Sequence, residues 1–379
     1  MTVINMSLKE LETPCLILDK KAMLGNIKRM DEKVKENGFS FRPHLKTAKS
    51  IEIAKLATKE HLGAITVSTI KEAQYFYRNG FKDILLAVCI TPQKLSYLLE
   101  TNKELAEKLI FISDDLRSIN KCALAAKNQK SKVNLMIEID CGDKRTGFDP
   151  ISEKKQLIDC ADFLKRESSI HFLGFLTHGG NSYSKRSQKE IQEVFINEEE
   201  SLFKAREIFR NKGINCKTLS AGSTPTTLNS KKGTSITELR AGVYMFGDLF
   251  QWQLGSCEFK DLALSVLVSV ISKKGRKIVI DAGSLALSQD RSTAKSAHDF
   301  NYGLVCDLEA QNLAKDFVTV KALNQEHGII YFKEEPDLEV GDKLRVFPNH
   351  ACITAAIYDS YNIIEDGKLT GKINRINGW

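Results

Sequence analysis

Three short stretches of this chain hold residue types that could do chemistry, at spacings that matter. The first is "FRPHLKTAKS", residues 41–50. Strand-like residues run into Pro43, His44 and Lys46 alternate, and a helical pattern then begins. A lysine where a strand gives way to a helix is either a solvated charge or a nucleophile aimed into a pocket. The second is "SAGSTPT", residues 220–226. Its small residues let backbone N–H groups approach an anion closely, and the hydroxyls of Ser223 and Thr224 add donors, which suits a phosphate. A phosphate cradle and a strand-end lysine together suggest pyridoxal phosphate, with Lys46 as the Schiff-base lysine. The third is "FPNHACITAA". His350 and Cys352 are two apart, so on a strand they would share a face. A neutral imidazole and a thiolate suit Zn2+. "NQEHG" adds His327 as a further polar group.

These residues need elements to hold them. Eight short apolar runs alternate with amphipathic helical stretches: 39–46, 64–69, 83–90, 109–113, 133–140, 171–180, 216–222 and 239–248. Their near-continuous apolar character predicts parallel strands buried on both faces. Strand then helix, repeated, predicts an α/β fold with a closed (β/α)8 TIM-type barrel over 20–252. An open doubly wound sheet is the alternative, but it would show a Gly-rich turn after the first strand. In a barrel the chemistry gathers at the C-terminal strand ends. There the sequence places His44 and Lys46, then Arg145, then His178 with Asn181 and Tyr183, then Ser220, Gly222, Ser223 and Thr224, and last Tyr244 and Asp248. Beyond about residue 255 helical patterns become scarce. A mostly antiparallel β domain carrying the metal pair is predicted over 253–379, joined by an N-terminal strand within 1–19.

Composition narrows the class of function. The chain has 379 residues, 42% hydrophobic and 27% charged, as in ordinary globular proteins. Its net charge of +7 is spread out with no basic block, which argues against nucleic acid and leaves room for an anionic small molecule. The nine cysteines are irregularly spaced, without a CxxC pair. No apolar run reaches the ~18 residues of a membrane span. The N-terminus lacks the layout of a signal peptide. A cytoplasmic protein with reduced thiols and no membrane partner is expected.

In order along the chain, "TPCLILD", "RPHLKTAKS", "CGDKRTGF", "HGGNSY", "SAGSTPT", "LRAGVYMFGD", "IDAGSLALSQD", "NQEHG" and "PNHAC" resemble the D-threonine aldolase and D-serine dehydratase family of fold-type III, alanine-racemase-like enzymes. The resemblance covers nearly the whole chain. It implies that Lys46 is the Schiff-base lysine and that Arg145 stands beside the cofactor ring. It implies that "SAGSTPT" and Tyr244 bind the phosphate, that His350 and Cys352 bind the metal, and that the enzyme is a homodimer. Two positions distinguish branches of the family. Ala48 stands where members often have histidine. Cys352 stands where aldolases tend to have aspartate and zinc-dependent dehydratases have cysteine.

The expectation is therefore a lyase using pyridoxal phosphate and Zn2+ to dehydrate a D-β-hydroxy amino acid, such as D-serine or D-3-hydroxyaspartate, to a keto acid and ammonia. Retro-aldol cleavage to glycine and an aldehyde is the near alternative. A barrel that only carries the cofactor is the alternative from another class, and it would need neither the β domain nor the metal pair.

Overall fold

A computed structural model describes residues 7–379 of the chain. Residues 1–6 of the expected N-terminal strand segment lie outside the described residues. The chain forms two compact units. One takes the residues up to Arg29, Thr47–Leu56 and Val243–Gly378; the other takes Met30–Lys46 and Ala57–Gly242.

The second unit is built on eight parallel strands. After a first strand of the chain, β1 (Cys15–Asp19), these are β2 (Ser40–Phe41), β3 (Ile65–Val67), β4 (Ile84–Cys89), β5 (Ile110–Ser113), β6 (Val133–Glu138), β7 (Ile170–Leu176), β8 (Thr218–Ala221) and β9 (Glu238–Leu239). They pair in the order β2-β9-β8-β7-β6-β5-β4-β3. The two remaining edges meet where β2 continues into a bridge between His44 and Thr66, with Leu45 N–H on Thr66 O and Thr66 N–H on Pro43 O, both at 2.8 Å. The sheet thus closes into a ring, the predicted barrel. Leu85, Ile112, Met136 and Leu176 form one contiguous cluster of buried side chains across β4–β7. The longest helix, Gln188–Asn211, starts with a capping box of Ser187 and Glu190. Its buried stripe of Ile191, Val194, Phe195, Leu202 and Ala205 has helical spacing.

The other unit carries a nine-stranded, mostly antiparallel sheet. Its strands are β1, β10 (Leu264–Lys274), β11 (Lys277–Ile280), β12 (Leu304–Cys306), β13 (Val320–Leu323), β14 (Gly328–Tyr331), β15 (Lys343–Phe347), β16 (Ser360–Glu365) and β17 (Lys368–Asn374). The hairpin β10–β11 turns at Gly275, whose φ of 55° lies in the left-handed region that glycine tolerates. β1 lies between β10, which it meets antiparallel, and β16, which it meets parallel. A core of Leu249, Leu262, Phe300, Leu304, Cys306 and Phe347 packs with Trp252. No helix among the described residues is long and apolar enough to cross a membrane.

Two local expectations differ from the structure. The eighth barrel strand ends at Leu239, well short of the predicted 248. The N–H groups of Phe246 and Gly247 both return to Val243 O, at 3.1 and 2.8 Å. Backbone groups satisfied within one turn are not available to a ladder, so Tyr244 sits in a 3-10 turn, Val243–Met245. Likewise His350 and Cys352 do not lie on a strand. β15 stops at Phe347, Pro348 has no N–H to continue the ladder, and His350 becomes the N-cap residue of a short helix, Ala351–Ala355.

Gly174 in β7 has φ of 147°, and a β-carbon there would overlap the Thr218 carbonyl of the neighbouring strand. Gly174→Ala should lower the stability of the protein by several kcal/mol, roughly the cost of forced backbone displacement combined with a special φ. A urea midpoint unchanged from wild type would show that this close approach is not required.

Candidate active site

In the barrel unit, most of the residues read from the sequence do converge. Lys46 is exposed and follows the closure at His44, whose Nδ1 accepts from Lys46 N–H at 3.4 Å. His178, just past β7, has its ring Nδ1 at 2.9 Å from Gly222 O. That carbonyl can only accept, so Nδ1 carries the proton and Nε2 is left as an acceptor. Burial drives His178 down to about 3; the bond to Gly222 opposes this, while the charges of Lys46, Arg145 and Arg240 add to it. Burial, then Lys46, Arg240 and His178, also hold His44 well below the usual range. Two neutral imidazoles therefore stand among three cations. The ring of Tyr183 lies 6.2 Å from that of His178.

The small-residue loop after β8 is more committed to the protein than its composition implies. The Ser223 hydroxyl caps the helix Thr224–Leu228 and lies 3.0 Å from the Ser182 hydroxyl. Ser220 donates to Glu238 at 2.6 Å and accepts from Arg240, which also reaches Thr177 O. What remains is Thr224, whose Oγ1 is buried without a hydrogen-bond partner. A buried orphan hydroxyl beside a glycine loop fits the phosphate of a cofactor. Gly222 is obligatory here: its φ is 122°, and a β-carbon would come within 2.5 Å of Arg240 O.

Sequence reasoning missed the residue that ties these loops together. Glu198 is fully buried, and its Oε1 accepts from Gly179 N–H and Gly222 N–H, each at 2.8 Å. One carboxylate oxygen thus pins the loop after β7 to the loop after β8. The available signal was register: Glu198 falls on the buried stripe of its helix, where its neighbours in the pattern are apolar. Arg240, within the motif "LRAGVYMFGD", is also buried. Cys89, Asp114 and Glu138, at the ends of β4 to β6, bring donor atoms within 4.8 Å of one another. Burial and the two carboxylates raise the Cys89 thiol far above its ordinary range, so it stays protonated and donates to Glu138 at 3.2 Å and Asp114 at 3.5 Å.

In the other unit, His350 and Cys352 are drawn together at the start of the helix Ala351–Ala355, with two carboxylates around them. Asp290 Oδ2 lies 3.8 Å from His350 Nδ1. Asp248, almost fully buried, accepts from Ala351 N–H at 3.0 Å. Burial alone would lower His350, but Asp290, Cys352 and Asp248 push it up to about 11. Surroundings that hold a proton so firmly favour positive charge, and imidazole with thiolate is a zinc donor set. The residues present therefore fit a cation. Asp290 closes the motif "IDAGSLALSQD", so its place in the sequence was the only sign of it. Tyr244 is buried in the same unit as this pair, and His327 is exposed in a loop.

Comparison with known proteins gives the family. Residues 18–249 match the family described as "Alanine racemase, N-terminal domain", and residues 263–364 match the "Putative serine dehydratase domain". The chain is 35% identical to the D-threo-3-hydroxyaspartate dehydratase of Delftia sp. (strain HT23), over 98% of this chain and 99% of that one. It is 29% identical to the D-serine dehydratase of Dictyostelium discoideum, over 99% of each. A solved structure of a cysteine-to-alanine mutant of D-threo-3-hydroxyaspartate dehydratase in the metal-free form superimposes with a TM-score of 0.91 at 33% identity, covering 99% of this chain and 100% of that one. The chain belongs to the D-threonine aldolase and D-serine dehydratase family of fold-type III pyridoxal-phosphate enzymes.

The buried groups make stability depend on pH in opposite senses. The unfolded chain protonates His178 below its ordinary 6.5, whereas the folded chain does so only near 3, so His178 costs stability as pH falls. Burial raises Glu198 from 4.5 to about 7 despite its hydrogen bonds to Gly222, Thr226 and Gly179 and the charge of Arg240. Its contribution is fully present below 4.5 and is lost as pH rises through 7. Glu198→Gln keeps the shape and the acceptor but cannot ionise. Between about pH 5 and pH 8 it should gain on the wild type by on the order of 3 kcal/mol, read from denaturant midpoints. A constant difference across that range would show that Glu198 does not titrate in it.

Proposed function

We propose that this chain is a pyridoxal phosphate- and zinc-dependent lyase. It dehydrates a D-β-hydroxy amino acid, D-serine or D-3-hydroxyaspartate, to a keto acid and ammonia. The observation that carries the reading is the meeting of His350 and Cys352 among two carboxylates, in a chain whose other unit gathers Lys46, Arg145 and His178 at a barrel mouth. The dehydratase names of its relatives, and the metal-free mutant of one that has lost a cysteine, support it. The barrel, read over 20–252, would hold the organic cofactor, and the β domain, read over 253–379 with the N-terminal strand, would hold the metal.

Pyridoxal phosphate, when bound, draws electrons from the substrate α-carbon, and zinc, when bound, polarises the β-hydroxyl as a Lewis acid. The chain supplies the remainder. Lys46 would hold the cofactor through Nζ and, with that nitrogen free, would be the base that takes the α-proton. Lysine is suited to both tasks because the same nitrogen is a nucleophile and, when neutral, a base. Arg145, Tyr183 and His178 surround the ring. His178 stays neutral there, which keeps a further positive charge away from the proton-accepting lysine. Ser220, Gly222, Ser223 and Thr224 form the phosphate end, with Thr224 Oγ1 as the uncommitted donor. His350 and Cys352 hold zinc, the cysteine as thiolate. The enzyme works as a cytoplasmic homodimer on a small D-amino acid, with no nucleic-acid or membrane partner.

Cleavage of the Cα–Cβ bond would use the same groups and yield glycine and an aldehyde. Assay of D-serine, D-threonine and D-3-hydroxyaspartate, with a chelator and with Zn2+ restored, separates the two. Keto acid and ammonia are expected, lost with the chelator and regained with zinc. Glycine with an aldehyde as the main products would overturn the dehydratase assignment. Lys46→Ala should lose both turnover and the visible absorbance of lysine-bound cofactor. Retention of that absorbance would move the attachment point elsewhere.

A further inference from the structure

We propose that Thr47 is the positioning partner of the metal-binding cysteine: its hydroxyl donates a hydrogen bond to Cys352 Sγ and sets how firmly that sulfur holds a cation. The inference rests on the assignment of Cys352 as a zinc ligand. Thr47 is completely buried, and its Oγ1 lies 3.1 Å from Cys352 Sγ. A thiolate has no proton to give, so once the cysteine binds metal the hydroxyl must be the donor. A hydrogen bond to a ligating atom fixes its direction and tunes its basicity, and such outer partners weigh heavily in metal affinity.

Both sides of the contact are held in place. On the threonine side, the Tyr361 hydroxyl donates to Ala48 O at 2.8 Å and lies 3.4 Å from Thr47 O. Tyr361 is itself fully buried, with its ring edge-on to Phe246 at 5.5 Å. On the cysteine side, the helix Ala351–Ala355 is tied at both ends. Asp248 accepts from Ala351 N–H at its start, and Arg375 reaches Ala355 O and, at 2.9 Å, Tyr358 O at its end. Neither the backbone of residues 47–48 nor that helix can drift without breaking buried hydrogen bonds. The contact is therefore a fixed feature of the fold. Thr47 also directly follows Lys46 in the chain, so the residue that steadies the metal-binding sulfur is bonded to the residue proposed to carry the cofactor.

The test measures Zn2+ affinity of the cofactor-loaded enzyme by competition with a chromophoric chelator, independently of turnover. Thr47→Val keeps the branched shape and removes the hydroxyl. It should weaken Zn2+ binding by roughly 10- to 100-fold, the range found for lost outer-shell partners. Thr47→Ser restores the donor and should bring affinity back to within a few-fold of wild type. A role limited to packing predicts the reverse order, because serine loses the methyl that valine keeps. Should Thr47→Val not fold, Thr47→Cys replaces the hydroxyl by a much weaker donor of similar size to serine's and should bind Zn2+ more weakly than Thr47→Ser. Wild-type affinity in the hydroxyl-free variants, with Cys352→Ala unable to hold zinc, overturns the role of Thr47 alone. Wild-type affinity in Cys352→Ala overturns the assignment of the ligand as well.

Discussion

The barrel exists because its first strand can pair on both sides. β2 is only two residues long, yet the chain beyond it continues extended through Pro43 to Leu45 and bonds to Thr66. With β9 on its other edge, this closes eight strands into a ring and leaves no edge open. Closure also decides where Lys46 goes. His44 makes the last bridge, and Lys46 follows it at the C-terminal end of the strand, where barrels keep their chemistry. A slip of one residue in that pairing would reverse the faces of Leu45 and Lys46, placing the lysine in the core.

Buried charge is the second constraint on the barrel unit. Arg42 bonds to Glu238 at 2.8 Å and to Asp83 at 2.6 Å. Glu238 also accepts from Ser220, which accepts from Arg240. Such groups are costly to bury and are tolerated when their hydrogen bonds are made within the network. The consequence is functional as well as structural. The network fixes Ser220 at the base of the loop after β8 while Glu198 fixes Gly222, so the loop's conformation is set by the protein's own hydrogen bonds. Preorganisation of this kind means that binding energy is not consumed in ordering the loop.

The two units divide two kinds of positive charge. In the barrel unit, burial first and then the charges of Lys46 and Arg240 lower the proton affinity of His44 and His178, and those cations suit an anionic ligand. In the other unit, Asp290, Cys352 and Asp248 raise the proton affinity of His350, surroundings that favour a cation there. Histidine is present in both, yet its affinity for a proton is shifted down in one and up in the other because the surroundings differ.

The first seven barrel strands and the β10–β11 hairpin were legible in the sequence because their signal is local: apolar runs of strand length and a turn glycine suffice. The convergence of Lys46, Arg145 and His178 was legible because strand ends can be counted along the chain. The pair His350 and Cys352 could be read from residue type and spacing, but not its setting. Pro348 ends the strand, and a helix start, rather than a strand face, brings the two together. The remainder was decided by tertiary structure. The bonds of Glu198 to Gly179 and Gly222, and the approach of Thr47 to Cys352 across 305 positions of sequence, leave only faint traces in the chain itself. A hydroxyl or carboxylate acquires its role from what lies within about 3 Å of it, and residues distant in sequence supply those neighbours only after the chain has folded.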